Sequence, residues 1–140
     1  MKLRLVAAVA AVVLVPATAL AAAEKGNSLH ATLRGTVEVP KGDPDGSGTA
    51  EVKITGSRVC WELKLAKIGT PNAAHIHKGL PGKAGPVVVP FGTAFKSKGC
   101  TTAPAAVANA ILSNPSAYYV NVHNARYPGG AVRGQLRSDD

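Results

Sequence analysis

The sequence predicts an all-β fold: an antiparallel, Greek-key-like β-sandwich or barrel of about seven short strands, with one short helix near residues 104–113. Three observations carry this. Apolar and polar residues alternate over short segments, clusters of Gly, Pro, Asp and Asn separate those segments, and only one stretch has helical spacing.

The first strand lies in "NSLHATLRGTVEVP", where Leu29, Ala31 and Leu33 alternate with His30, Thr32 and Arg34, and it is expected to run to Pro40. "KGDPDGSGTA" is a turn cluster. "TAEVKIT" and "RVCWELKLA", separated by Gly56-Ser57, form a hairpin. Val59, Trp61, Leu63 and Leu65 make the core face of its second strand, which places Cys60 on the opposite face. "AAHIHKG" is a short strand with Ile76 pointing inward and His75 and His77 outward. The apolar run "VVVPF" follows, then a loop or short strand bearing Cys100. The helix falls in "APAAVANAILSNPSA": Pro104 suits its first turn, Val107, Ile111 and Leu112 form its stripe, and Pro115 ends it. "YYVNVHN" and "AVRGQLR" are the closing strands.

The N-terminus reads as a secretory signal over residues 1–23. Met1, Lys2 and Arg4 precede an uncharged run interrupted by Pro16, and small residues offer cleavage within Ala19–Ala23. The apolar stretch from Leu5 to Val15 is short for a bilayer, so no membrane span is expected after cleavage. Residues 24–140 are then a single domain. Export makes a Cys60–Cys100 disulfide the default for the two cysteines, because a metal or redox pair usually shows CxxC spacing. Secretion, or retention in a periplasm or cell envelope, is the expected location.

The formal net charge of +8 falls to +6 without Lys2 and Arg4, and the remaining basic residues are scattered. Clustered cations with interleaved aromatics would mark a nucleic-acid binder. With one Trp, three Tyr and two Phe, this chain is not expected to bind nucleic acid. An extracellular protein or a cell-surface polymer is the expected partner.

No GxSxG, HExxH or phosphate-cradling glycine loop is present, and the chain is expected to have no catalytic residues and no enzymatic activity. "DPDGSG" lacks the length and closing glutamate of a calcium loop. The histidines are the one constellation with chemical potential. In "YYVNVHN", Asn121 and His123 lie opposite Val120 and Val122, so three imidazoles converge if this strand neighbours "AAHIHKG". His75, His77 and His123 would then suit copper or zinc; otherwise no cofactor is expected. An HxH pair on an exported all-β scaffold is similar to the copper/zinc superoxide dismutases, where such a pair ligates copper. The fourth copper histidine and the zinc ligands have no counterpart here. The leading reading is a hydrogen-bonded layer of His75, His77, Asn121 and His123 on the second face of the sheet, with the metal site, as a carrier or in redox defence, as its alternative.

"ATLRGTVEVP", "VCWELKLAKI" with "AAHIHKGLPGKAGPVVVPF", and "SNPSAYYVNVHNARYPGGAVRGQL" together resemble the chordin-type (CHRD) domain family over about residues 28–137. The chain looks like a bacterial, secreted, stand-alone member. The resemblance implies an extracellular β-sandwich module rather than a defined activity, since chordin antagonises growth factors through separate cysteine-rich domains. Matched to the family's motifs, the signature positions are His75, His77, Gly79, Asn121, His123, Pro128, Gly129, Gly130, Arg133, Gly134 and Gln135. Pro128-Gly129-Gly130 reads as a hairpin turn, and Gly134 as a bulge or a close backbone approach. Arg133 and Gln135 share the polar face with Asn121 and His123. A cation there should oppose metal binding and favour the hydrogen-bonded layer.

Overall fold

The computed structural model describes residues 27–138, so the expected signal peptide lies outside the described residues. It is all-β apart from one helix, as the alternation requires. β1 (Ser28–Arg34), β2 (Ser47–Thr55) and β3 (Arg58–Ala66) form a meander. β4 (Pro71–Lys78), β5 (Val87–Pro90) and β6 (Lys98–Thr102) come next, then α1 (Ala105–Ser113). β7 (Tyr118–Asn124), β8 (Val132–Gln135) and the two-residue β9 (Arg137–Ser138) finish the described chain. Among the described residues there are thus nine strands rather than about seven, because the Cys100 segment is a strand and Leu136 splits the last one. No described helix is long and apolar enough to cross a membrane.

The strands form one antiparallel sheet in the order β5-β4-β7-β8-β1-β2-β3-β6, with β9 extending the β8 side of β1. Rather than two separate layers, a single sheet coils until its ends meet in a nearly closed barrel. Trp61 on β3 stacks on Phe91, just beyond β5, with ring centroids 4.5 Å apart. Trp61 Nε1 also donates to the Lys96 carbonyl at 2.8 Å. The core is the inward set of the alternating strands, including Leu33, Val52, Val59, Trp61, Ile76, Val120, Val122 and Val132. The helix adds Ala108 and Ile111, while Val107 and Leu112 are only partly buried against it.

One local expectation is corrected. β1 stops at Arg34, and residues 35–37 turn into a single 3-10 turn, so Glu38 is not a strand residue. The Gly35 amide bonds to the Gly46 carbonyl and the Gly42 amide to the Gly35 carbonyl, folding the segment back on itself. The expected Cys60–Cys100 bridge joins directly paired residues of neighbouring strands β3 and β6. Gly134 is a close backbone approach: a Cβ there would lie 2.1 Å from the Thr32 carbonyl oxygen.

Candidate functional site

The register of three strands assembles the polar face. β4 pairs with β7 so that His75 faces Asn121, His77 faces Tyr119 and Ala73 faces His123. β7 pairs with β8 so that Asn121 faces Arg133 and Tyr119 faces Gln135. Directly paired residues project to the same side of a sheet. His75, Asn121 and Arg133 therefore form one row, His77, Tyr119 and Gln135 the next, and His123 flanks the first.

One nitrogen from each of His75, His77 and His123 lies within 4.8 Å of the others. Three points so spaced share a centre within about 2.8 Å of each, close to the 2.0–2.1 Å of a zinc–imidazole bond. Hydrogen bonds fix the protons on two of the rings. His77 Nδ1 lies 2.8 Å from the Gly85 carbonyl and His123 Nδ1 2.9 Å from the Pro128 carbonyl. A carbonyl only accepts, so both Nδ1 atoms carry the proton and the neutral rings keep their lone pairs on Nε2. Carbonyls hold metal-ligating imidazoles in the same way. The Nε2 of His77 is buried and has no hydrogen-bond partner. The Nε2 of His123 lies 3.2 Å from His75 Nδ1 and 2.9 Å from Asn121 Oδ1. Turning the Asn121 amide by 180° converts the second contact into an N–H donation to that lone pair, which is open to Asn121 only while the nitrogen holds no ion.

Burial keeps His75 and His77 neutral. It is the largest cause lowering His75 to about 4, with the neighbouring His123 and His77 adding to it. Burial also lowers His77, although the hydrogen bond to Gly85 pulls it back. Neutral imidazole is the ligating form.

Arg133 is more thoroughly enclosed than its sequence setting suggests, at 2% exposure. Its Nη1 donates to the Lys83 carbonyl at 2.8 Å and its Nε to the Val37 carbonyl at 3.0 Å. Nε also lies 3.4 Å from Glu38 Oε2, an ion pair with both side chains buried. Burial pushes the Glu38 carboxyl above its ordinary range, and Arg133 pulls it back down. The guanidinium sits 4.2 Å above the Tyr119 ring, which in turn stacks on His77 at 4.9 Å. The Tyr119 ring thus lies between the cation and the His77 imidazole, and a carboxylate is paired with the cation. The opposition to metal binding expected of Arg133 is weakened on both counts.

The remaining signature positions hold this face together. Gln135 Nε2 donates to the carbonyls of Gly79, Ser116 and Tyr118, tying the chain after β4 to the start of β7. Pro128 supplies the carbonyl that orients His123, and Gly129 lies in the same turn. Gly130 adopts φ 132°, and a Cβ there would lie 2.2 Å from Glu38 Oε1. Glu38 is the member that sequence reasoning missed. Its one signal was a lone carboxylate between valines in "TVEVP", read there as part of a strand.

No curated protein and no solved structure matches the chain at a significant level. The CHRD domain model matches residues 29–136, a span that takes in the three histidines, Glu38, Arg133 and both cysteines. By that match the chain belongs to the CHRD domain family.

Proposed function

We propose that the protein is a secreted, non-enzymatic extracellular module whose ligand is a copper or zinc ion held by His75, His77 and His123. The observation that carries this is the buried, partnerless Nε2 of His77, whose proton is committed to the Gly85 carbonyl on the other side of the ring. A buried lone pair with no donor costs free energy that a cation would recover. An all-imidazole set suits copper and zinc alike and is a poor match for calcium or magnesium. Ligation would break the His75–His123 contact, because the His123 Nε2 lone pair that accepts it would go to the ion. The half-buried His75 and His123 leave the ion reachable from one side, as a carrier or storage site needs.

Titration of the metal-stripped protein with zinc and copper(II), alongside elemental analysis, tests this reading. One ion per chain and a raised melting temperature are expected. His75→Ala, His77→Ala and His123→Ala should each weaken binding by more than the ~10–100-fold that loss of an outer-shell partner costs. If no ion binds, or the triple variant binds as tightly, the three rings belong to a sealed hydrogen-bonded layer instead.

A further inference from the structure

A second feature lies on the same face of the sheet, beyond Arg133 and away from the histidines. Arg34 stands directly opposite Arg133 across β1 and β8, and Arg137, further along the same face, stands opposite His30. Like charges placed opposite one another destabilise a strand pair. Arg133 has Glu38 as its counter-charge. Arg34 and Arg137 are exposed, and neither makes an ion pair among the described residues. Between them runs a cavity of about 430 Å³, lined by these three arginines with Thr32, Val37 and Pro81 among its other walls and with no carboxylate among the described residues. Its size falls in the range of small-molecule sites, about 300–1,000 Å³. Arg133 Nη2 is an additional buried donor without an acceptor. Among the described residues, Glu38 offsets one guanidinium and the other two keep their charge.

We infer that this groove binds a small organic phosphate, a monoester whose dianionic head is held by Arg34 and Arg137 and whose organic part lies along Val37 and Pro81. The guanidinium fork matches two phosphate oxygens at once, which a point cation does not. A phosphate monoester near neutral pH carries about two negative charges, matching the two guanidinium charges that the described residues of the groove leave uncompensated. Val37 is 50% exposed, an apolar surface that a bare inorganic ion would leave uncovered. The site is independent of any ion at the histidines.

Calorimetric titration of the disulfide-intact protein in low-salt, phosphate-free buffer tests the inference, with glycerol 3-phosphate, inorganic phosphate and malonate as probes. One saturable site is expected, tighter for glycerol 3-phosphate than for inorganic phosphate and weakest for malonate. Arg34→Ala and Arg137→Ala should each lower affinity by at least about tenfold, the loss of charge-assisted hydrogen bonds. The doubly substituted Arg34→Lys, Arg137→Lys protein keeps the charge and should still bind more weakly than the unchanged protein. Both positions are exposed, and an unchanged thermal melt would establish that the variants fold. The inference is overturned by absence of saturable binding, by equal affinity in the double alanine variant, by a double lysine variant that matches the unchanged protein, or by malonate binding as tightly as the phosphates.

Discussion

At His77 a single hydrogen bond, from Nδ1 to the Gly85 carbonyl, decides which nitrogen keeps a lone pair, and burial decides that the ring stays neutral. His75 shows the same effect more strongly, lowered to about 4 from an ordinary 6.5. The unfolded chain therefore binds the proton more readily across that interval. The stability that depends on a neutral His75 is complete above about pH 6.5 and is lost as the pH falls toward 4. His77 contributes with the same sign. Glu38, raised by burial, works in the opposite sense: the folded protein takes up that proton first, and stability is gained as the pH falls. Urea unfolding midpoints measured from pH 7.5 down to 4 should fall less steeply for His75→Ala than for the unchanged protein, and identical slopes would refute the assignment. Glu38 also compensates Arg133. Glu38→Ala would leave a buried cation with only carbonyl partners and should cost about 3–5 kcal/mol, readable in the same experiment. A loss below 1 kcal/mol would mean that the two carbonyls suffice.

Among the elements, the β3–β6 pair depends most on a covalent link. β6 is an edge strand of five residues with alternating exposed and half-buried positions, so it brings little apolar burial of its own. The Cys60–Cys100 bridge crosses directly between paired residues at a sequence separation of 40. Closing a loop of that length removes unfolded-state entropy worth about 4 kcal/mol in the chain-entropy model. The double Cys60→Ser, Cys100→Ser variant should lose an amount of that order in chemical denaturation. A thiol assay on the denatured, unreduced protein should find no reactive sulfur, and two such sulfurs would disprove the bridge. The signature residues Gly134 and Gln135 act at the same scale. One lets β8 approach β1, and the other ties the chain after β4 to the start of β7.

For the whole molecule, closure of the coiled sheet rests on Trp61 and Phe91, one near each end of the strand order. Trp61 is 4% exposed and has its indole N–H committed to the Lys96 carbonyl. Trp61→Ala should cost about 3–5 kcal/mol and leave Phe91 exposed to solvent. Loss of the near-ultraviolet circular dichroism band together with a lowered melting temperature would register both effects. A variant that melts within a degree or two of the unchanged protein would show that the sheet closes without the stack.

The alternating pattern of residues 28–138 was enough to establish an antiparallel all-β chain with one helix, the inward face of β3, the outward face of β4 and the pairing of two cysteines. Each depends on a period of two along one strand or on a count of residues, which a linear text records directly. Gly134 could likewise be read as a close approach. The extent of β1, the fate of Glu38 and the sealing of Arg133 could not, because they follow from a backbone turn at residues 35–37 that carries no strong local signal. That His75 and His123, 48 positions apart, lie in contact is a matter of strand order and register. Sequence supplied the histidines and their outward direction. Only the tertiary fold put β4 beside β7, gave the Nδ1 atoms of His77 and His123 their carbonyls and placed Tyr119 between the guanidinium and His77, because long-range pairing is chosen by the burial of the whole sheet rather than by any one strand.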